Sequence, residues 1–351
     1  MKLRFRVSNI RSGKSSGVAL IMVLWIVTIL TVVALEFSFA MRTEVNITKN
    51  FKEELQLYNI AQGGVQRAIA ELILEHDPRV QQLKKTMKTE EAVPEKKDWV
   101  PDGRPYALQF DQGECELRIM SESGKININA VSEAMLRKLI GNLGLEAEKR
   151  DVVVDSILDW RDPDDFLRIN GAENDFYQSL KEPYRCKNAN LDSIEELLLI
   201  RGVTPELFYG KKGASAGEDG MNASDVGLKE VFSVYAPGEQ IDINSVSLPV
   251  LRAALGLPIG VSKAILKARE EKGFQHQQDL LLRVPELNPF IAGMTGRLVF
   301  SNASALTSVY YTIESRGKSK DVAVRGLKAI VKIDRMDKKG YKIVQWVDAL
   351  I

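Results

Sequence analysis

A long apolar stretch opens the hydrophobic pattern of the chain. Residues 18–35 have the sequence VALIMVLWIVTILTVVAL and contain no charged side chain. Roughly 20 helical residues cross the hydrocarbon core of a bilayer, so this stretch predicts a transmembrane helix. Beyond Met41, apolar residues recur at spacings of three and four, which predicts that the helix continues to about Glu75. Gly63 and Gly64 fall inside it, either as a bend or as close-packing points.

Alternating apolar and polar residues predict strands on both sides of a long central region. YALQF at 106–110 and CELRIM at 115–120 are separated by a short polar turn and predict a hairpin. The runs SVYYTIES, VAVRGLKAIVKID and YKIVQWVDAL near the C-terminus predict a meander of three more strands. A long helix and an antiparallel sheet that hosts a large helical insertion predict an α+β fold of the helix-on-sheet type.

The insertion contains an internal repeat. ININAVSEAMLRKLIGNLGL from Ile126 aligns with IDINSVSLPVLRAALGLPIG from Ile241. Further along each copy, LDSIEELLLIRGVTPEL from Leu191 resembles QQDLLLRVPELNPF from Gln277. Each copy predicts helices joined by a Gly-containing turn and followed by a short helical hairpin. We therefore expect two small helix-hairpin subdomains of the SAM-like type.

Two details of the repeat complete the predicted organisation. Asn129 and Asn244 precede the first helix of each copy, and we predict that both are helix N-caps. The Gly- and Ser-containing stretch 210–227 is predicted to be a flexible loop between the copies. The predicted segments are a basic leader at 1–17, the N-terminal helix at 18–76, the first part of the sheet at 77–122, a first α subdomain at 123–209, the loop at 210–227, a second α subdomain at 228–305 and the C-terminal strands at 306–351.

Composition and charge indicate where this fold resides. The 351 residues are 45% hydrophobic and carry a net charge of +1, so the chain is globular and has no general affinity for polyanions. Residues 1–17 are the exception, because they contain five basic side chains and no acidic one. A basic flank stays in the cytoplasm, so we expect a single-pass protein whose C-terminal part is exported. A plain signal anchor is the simplest protein of this kind.

An acidic loop distinguishes the first copy of the repeat from the second. Its sequence is DWRDPDDFLRINGAENDFY, residues 159–177, and it carries six acidic side chains against Arg161 and Arg168. Clustered carboxylates are the hard oxygen ligands that calcium takes six to eight at a time. The residues alone support a calcium site and a solvated acidic loop with Asp-Pro turn chemistry equally.

Cysteine and histidine usage leaves one question open and argues against catalysis. Cys115 and Cys186 are the only cysteines, and they form either a disulfide that joins the insertion to the sheet or two separate buried thiols. His76 and His276 are the only histidines, and neither a zinc motif nor a Gly-x-Ser-x-Gly motif is present. We therefore predict that the protein is not an enzyme and that both histidines are surface residues.

Nucleic-acid binding is an alternative function that the hairpins raise. LLLIRGVTPEL and LGLPIGVSKAILKAREEKG resemble helix-hairpin-helix modules that hold DNA phosphates, and Lys263, Lys267 and Arg269 add local positive charge. A near-neutral chain with an acidic loop lacks the basic footprint that phosphate binding needs. Helical interaction modules are the favoured role for these hairpins.

The junction Ser16-Gly17-Val18 resembles the cleavage site of type IV prepilins and pseudopilins. This resemblance implies cleavage after Gly17 by the prepilin peptidase and N-methylation of Val18. Met22 stands at the fifth mature position, where most pilins carry a Glu that neutralises a neighbouring N-terminus. Lack of that Glu is typical of the K-type minor pseudopilins.

The resemblance to the K-type minor pseudopilins of type II secretion systems extends along nearly the whole chain. It includes the motifs SGKININ, ILDWRDPDD, NGAENDFY and DSIEELLLIRGVTPEL. It implies an inner-membrane protein with a periplasmic C-terminal domain, which caps the pseudopilus tip, initiates its assembly and supports export of folded proteins across the outer membrane. The implied partners are the I- and J-type minor pseudopilins, the major pseudopilin, the prepilin peptidase and the inner-membrane secretion platform.

The same resemblance implies calcium in the acidic loop. The expected ligands are Glu173 and Asp175, followed by Asp162 and Asp164. A minor pilin of a type IV pilus or competence system is the alternative that shares most of these features.

Overall fold

A computed structural model describes residues 16–80, 82, 99–210, 222–294, 296–301, 309–319 and 322–349. The chain forms two compact units, Met1–Gln56 and Leu57–Ile351. Helix α1, Ser16–His76, contributes residues to both units, which confirms the predicted N-terminal helix. The predicted leader lies outside the described residues except for Ser16 and Gly17.

The described part of the first unit is the apolar half of α1. Its large apolar side chains are exposed along the whole length, and the helix is long and apolar enough to cross a membrane. The hydroxyls of Thr28 and Thr31 donate to the carbonyls of Trp25 at 2.8 Å and Val27 at 2.7 Å. These polar groups are therefore satisfied within the helix, as an apolar surrounding requires.

A five-stranded antiparallel sheet is the centre of the second unit. Its strands are β1 (Asp102–Phe110), β2 (Gly113–Ser121), β7 (Tyr310–Ser319), β8 (Val322–Ile333) and β9 (Tyr341–Ala349), and they lie side by side in that order. The structure confirms the predicted hairpin and the predicted meander. Ser121 of β2 pairs with Tyr311 of β7, so the two halves of the sheet join although the insertion separates them in sequence.

The C-terminal part of α1 packs on one face of this sheet through Val65, Ile69 and neighbouring apolar residues. Gly64 allows the close approach, because a Cβ atom there would lie 2.4 Å from the Cys115 sulfur and 2.5 Å from the Ser315 hydroxyl. The helix continues without a break through both glycines. Gly64 is therefore a close-packing point, the second of the two roles considered for it.

The insertion between β2 and β7 is mostly helical. A short parallel strand pair closes each copy of the repeat, β3 (Ile126–Asn127) with β4 (Phe232–Ser233) and β5 (Ile241–Asp242) with β6 (Leu298–Val299). Both copies contribute to one hydrophobic core instead of forming two separate ones. The elements are β3 (Ile126–Asn127), α2 (Glu133–Asn142), α3 (Ala147–Arg161), α4 (Asn174–Gln178), α5 (Pro205–Tyr209), α6 (Leu228–Val231), β4 (Phe232–Ser233), β5 (Ile241–Asp242), α7 (Leu248–Ala253), α8 (Ile259–Glu271), α9 (Gln277–Arg283) and β6 (Leu298–Val299), with short 3-10 segments at 122–124, 194–199, 223–225 and 285–294. Residues 211–221 of the predicted flexible loop lie outside the described part of the chain.

The N-cap prediction for the two repeated asparagines is wrong. Ser132 and Ser247 occupy the N-cap positions of α2 and α7. Asn129 instead accepts from the backbone N–H of Leu191 at 2.8 Å and donates to its carbonyl at 2.9 Å. Asn244 makes the equivalent pair of bonds to Phe274, at 2.7 Å and 2.8 Å. Each amide therefore imitates a strand partner and joins segments that are distant in sequence.

His76 also departs from its predicted surface position. The ring is buried with 7% exposure at the end of α1. Its Nδ1 lies 2.7 Å from the carbonyl of Leu72, and its Nε2 lies 3.2 Å from the hydroxyl of Tyr311. The histidine thus anchors the helix end to β7.

Candidate functional site

The acidic loop begins in the last turn of helix α3. Asp155 and Asp159 are four residues apart, which places both carboxylates on one face of that helix, and both are buried. Oδ2 of Asp155 accepts from the backbone nitrogen of Asn170 at 3.2 Å and from its side-chain nitrogen at 3.1 Å. This double contact holds the far part of the loop against α3.

Arg168 is the arginine that contacts the carboxylates of the loop. One of its terminal nitrogens lies 2.7 Å from Oδ1 of Asp159 and also contacts Oδ2 of Asp162. Burial opposes the charged guanidinium, but the two carboxylates raise the pKa of Arg168 overall. Burial raises the pKa of Asp159, and Arg168 counteracts this shift in part. Gly171 closes the turn. A Cβ atom at this position would clash with Oδ2 of Asp159, so the turn requires glycine.

Glu173 is buried, with 5% exposure, and has no conventional hydrogen-bond donor. Both of its carboxylate oxygens lack a partner among the described residues, as do Oδ1 of Asp162 and Oδ1 of Asn188. Burial, followed by the negative charge of Asp159, raises the pKa of Glu173 to about 7. The neighbouring Cys186 thiol offsets only part of that shift. Buried carboxylates without partners are rare and call for a physical explanation.

The four expected calcium ligands divide into two pairs. Asp162 has one buried oxygen, and Glu173 has two, that lack a partner among the described residues. Asp164 and Asp175 are exposed. Oδ1 of Asp164 accepts from the backbone nitrogen of Phe166 at 2.9 Å and so closes a local turn. Only two of the four expected ligands therefore have buried oxygens without a partner among the described residues.

The donor chemistry of the loop fits calcium, although the ligands are not assembled around a common point. Within the described ranges, no three Asp, Glu, His or Cys side chains are arranged to hold a metal ion. The four unpartnered oxygens of Asp162, Glu173 and Asn188 are nevertheless carboxylate and amide oxygens, which calcium prefers. Asp159 and Asp162 converge on Arg168 instead of on a shared metal position.

Asn188 was not among the expected ligands. It is the only described residue other than glycine with a positive φ, 47°, a conformation that Asn tolerates better than most residues. Its side-chain nitrogen donates to the carbonyl of Asp164 at 2.8 Å and to Oδ1 of Asp165 at 2.9 Å. The loop therefore closes on a residue beyond its own end, which no local pattern indicates.

Sequence comparisons relate this chain to one group of secretion proteins. A family profile described as Type II secretion system (T2SS), protein K, matches residues 116–209, which include the acidic loop. The type II secretion system protein K of Pseudomonas aeruginosa is 27% identical over 287 residues, 79% of this chain and 79% of that protein. The protein K of Aeromonas hydrophila is 22% identical and covers 89% of this chain and 94% of its own length. Over these matched stretches the chain is similar to the type II secretion system protein K family.

A solved structure has a similar fold. The crystal structure of the GspK-GspI-GspJ complex from the enterotoxigenic Escherichia coli type 2 secretion system contains a chain with a similar fold, at a TM-score of 0.51 and 17% identity. The match covers 82% of this chain and 96% of that chain. Protein K family membership is the main hypothesis of the sequence analysis, and the comparisons do not fit the pilus, competence or DNA-binding alternatives.

One of the three basic residues that add positive charge near the second hairpin has a structural role. Arg269 is buried and donates to the carbonyl of Val246 at 2.6 Å. Arg161 occupies the equivalent place in the first copy and donates to the carbonyl of Val131 at 2.7 Å. The repeat thus uses an arginine to fix the turn before each first helix, and Arg269 does not face solvent phosphates.

A polar junction connects the insertion to the sheet. Glu122 follows β2 with 1% exposure, accepts from the Thr312 hydroxyl at 2.6 Å and pairs with Lys125 at 3.2 Å. Burial alone would raise the pKa of Glu122, but Lys125 and the hydroxyls of Ser233 and Thr312 lower it overall. The carboxylate is therefore charged and satisfied, and it ties the start of the insertion to β7.

Both cysteines are free and buried in different cores. Cys115 lies under α1, 3.0 Å from the Ser315 hydroxyl. Cys186 lies beneath the acidic loop, where burial raises the pKa of its thiol to about 12. The structure therefore has the two separate thiols and not the bridge between insertion and sheet.

Proposed function

We propose that this chain is a minor pseudopilin at the tip of the type II secretion pseudopilus, where it initiates assembly and supports export of folded proteins. The observation that carries this proposal is the large insertion between β2 and β7 of a helix-on-sheet fold. Such bulk would clash along a shaft of closely packed subunits but not at its end. The exposed apolar half of α1 serves as the membrane anchor and then as the packing helix.

The proposed partners are other pseudopilins and the proteins that process and assemble them. The solved complex of the related chain with GspI and GspJ supports I- and J-type partners here. The same assembly implies three further partners, which are the major pseudopilin, the prepilin peptidase and the inner-membrane platform. In this arrangement residues 57–351 reside in the periplasm, and the protein has no enzymatic role.

Processing at Gly17 belongs to this proposal. A Cβ atom at Gly17 would meet no described residue within 4 Å, so packing against the described part of the chain does not require glycine at this position. Recognition by a peptidase supplies a reason for it. Met22 of α1 replaces the usual Glu, which suits a subunit with no neighbour above it.

The test is the intact mass and N-terminal sequence of the full chain from membranes with and without prepilin peptidase. We expect a start at N-methylated Val18 only when the peptidase is present. The matched variant Gly17→Val should stay full length, whereas Ser16→Ala should be processed normally. An intact Met1 in the wild type with active peptidase would refute the proposal.

We further propose that the acidic loop binds calcium through Glu173, Asp162 and Asn188. A bound calcium ion would neutralise carboxylates that otherwise repel one another and would rigidify the loop. Ligand binding stabilises the folded state by about 2.7 kcal/mol at a hundredfold excess over Kd. The full chain in detergent micelles should therefore unfold at higher temperature in calcium than in EGTA. Unchanged unfolding and unchanged hydrogen exchange in residues 159–188 would refute this site.

A further inference from the structure

The two copies of the repeat differ in how completely their leucines are covered. In the second copy, Leu257 lies between α7 and α8, Leu287 lies in the 3-10 segment after α9, and both are fully buried. The equivalent residues of the first copy are Leu145, between α2 and α3, and Leu207 of α5. Both of these are only partly buried. The first copy therefore keeps apolar surface that the second copy covers.

This apolar surface lies beside two glycine turns of the first copy. Gly144 follows α2 with a φ of 80°, and Gly202 turns the chain before α5 with a φ of 84°. The turn at Gly256 in the second copy is covered, because a Cβ atom there would lie 3.3 Å from the side chain of Asn142. Gly202 has no counterpart at all, since LLLIRGV of the first copy aligns with LLLRV of the second. The open turns are therefore specific to the first copy.

The two turns enclose a groove with a volume of about 550 Å³. Its apolar lining consists of the buried side chains of Leu143 and Val226 and the partly buried side chains of Leu145, Val152 and Leu207. A groove of this size and composition has room for more than one large apolar side chain. Burial of such side chains is the main source of affinity in a protein interface.

The rim of the groove is acidic. Its charged residues are Glu148, Lys149 and Glu206, two acids and one base, and all three are exposed. Lys149 also pairs with Glu146 at 3.0 Å, which reduces its effect as a free positive charge. An acidic rim repels the phosphates of nucleic acids and of anionic lipids. It attracts a ligand that carries lysine or arginine beside its apolar part.

The polar groups of the lining do not suit a small polar molecule. Such a ligand is oriented by polar groups placed within its pocket, whereas the buried residues of this lining are apolar. The hydroxyl of Thr204 accepts from the backbone N–H of Leu207 at 3.2 Å, so it already serves as the N-cap of α5. Apolar side chains inside and basic side chains at the rim therefore match the groove best.

We propose that this groove docks a short segment of a partner protein that carries leucine-like side chains next to lysine or arginine. The partner would then cover Leu145 and Leu207 as the chain itself covers Leu257 and Leu287 in the second copy. This inference depends neither on the calcium site nor on processing at Gly17.

Fluorescence anisotropy of a labelled peptide tests the docking. The probe is fluorescein-KKLAALKK-amide, whose two leucines are three residues apart and share one face of a helix. The receptor is the full chain in nanodiscs of phosphatidylcholine, so that neither detergent nor an anionic lipid competes. We expect the same peptide with serines for leucines, KKSAASKK, and the peptide with reversed charges, EELAALEE, to bind at least about tenfold more weakly.

Two variants separate the groove from general charge. Glu206→Lys should weaken binding of KKLAALKK about fivefold and strengthen binding of EELAALEE, because it reverses one charge of the rim. Glu286→Lys is the matched control, since Glu286 is exposed, is the equivalent of Glu206 in the second copy and does not line the groove. Its Kd for KKLAALKK should stay within about twofold of the wild-type value. Leu207→Ala should weaken binding about tenfold, with thermal unfolding as the check that it still folds.

Four results would overturn the proposal. No binding of KKLAALKK by the wild type would remove the site, and equal binding of the leucine and serine peptides would show that charge alone attracts them. Equal losses for Glu206→Lys and Glu286→Lys would assign the attraction to the net charge of the chain. Self-association of the wild type that Glu206→Lys abolishes and the peptide does not compete with would assign the groove to a second copy.

Discussion

Glu122 and Glu173 are two buried glutamates whose carboxylates have different surroundings. Glu122, at the polar junction, is 1% exposed and surrounded by Thr312, Ser233 and Lys125, and its pKa is lowered. Glu173, in the acidic loop, is 5% exposed and unpartnered, and its pKa is raised to about 7. Both side chains have little solvent exposure, but Glu122 has a cation and two hydroxyls beside it, whereas both oxygens of Glu173 lack a partner among the described residues. Such partners help to decide whether a buried charge stabilises or destabilises the fold.

This difference is the one expected between a structural site and the calcium site proposed above. A carboxylate that has hydrogen-bonding partners, such as Glu122, stabilises the folded chain without any ligand. An unsatisfied one such as Glu173 costs free energy until something else pairs with it, which is the usual signature of a ligand position. The following substitutions test whether the charges of the two glutamates change the free energy of unfolding in opposite directions.

The largest effect is expected for Glu122→Gln. It leaves Lys125 without its buried partner and weakens the tie to Thr312, so the free energy of unfolding should fall by about 3 kcal/mol. Urea unfolding of the full chain in detergent at pH 7 measures this. Glu133→Gln is the control, because the Glu133 pair with Arg137 is exposed and contributes about 0.5 kcal/mol or less. A loss no larger than that of the control would contradict the role of the junction.

Glu173→Gln should change the free energy of unfolding in the opposite direction when no metal is present. Removing a charge that burial disfavours should raise the free energy of unfolding in EGTA at pH 8 by about 2 kcal/mol. The same variant should lose the stabilisation by calcium. Destabilisation in EGTA would show that Glu173 has a partner in solution and would remove the contrast with Glu122.

The pH dependence should separate the two regions. Because the folded-state pKa of Glu173 is raised, metal-free wild type should lose stability relative to Glu173→Gln as the pH rises from 4.5 to about 7. Because the folded-state pKa of Glu122 is lowered, wild type should lose its advantage over Glu122→Gln as the pH falls below 4.5. Parallel pH profiles for wild type and both variants, measured by urea unfolding, would argue against these assignments.

The smallest effect is expected for Asp175→Asn. The Asp175 carboxylate is exposed, so the free energy of unfolding should change by less than about 0.5 kcal/mol and the calcium Kd by less than about threefold. Asp162→Asn, which alters a buried and unpartnered oxygen, should weaken calcium binding by at least tenfold, or about 1.4 kcal/mol. Equal effects of the two variants on calorimetric Kd would restore the ligand set expected from the sequence.

Elements whose signal is local could be predicted from the sequence. The apolar run and the spacing of three and four predicted α1, alternation predicted all five strands of the sheet, and repetition predicted the two related halves of the insertion. These patterns succeed because helix and strand periodicity depends on residues within a few positions of one another. The acidic composition of residues 159–177 likewise indicated where to look for a cation.

Tertiary structure alone decided which side chains meet. Asn129 and Asn244 look like caps locally, but their amides bind backbone 62 and 30 residues away. Asn188 joins the acidic loop from outside it, and Arg168 takes Asp159 and Asp162 while Glu173 is left unpaired. Burial and pairing depend on how distant segments pack, and no local spacing records which carboxylate receives a partner and which one does not.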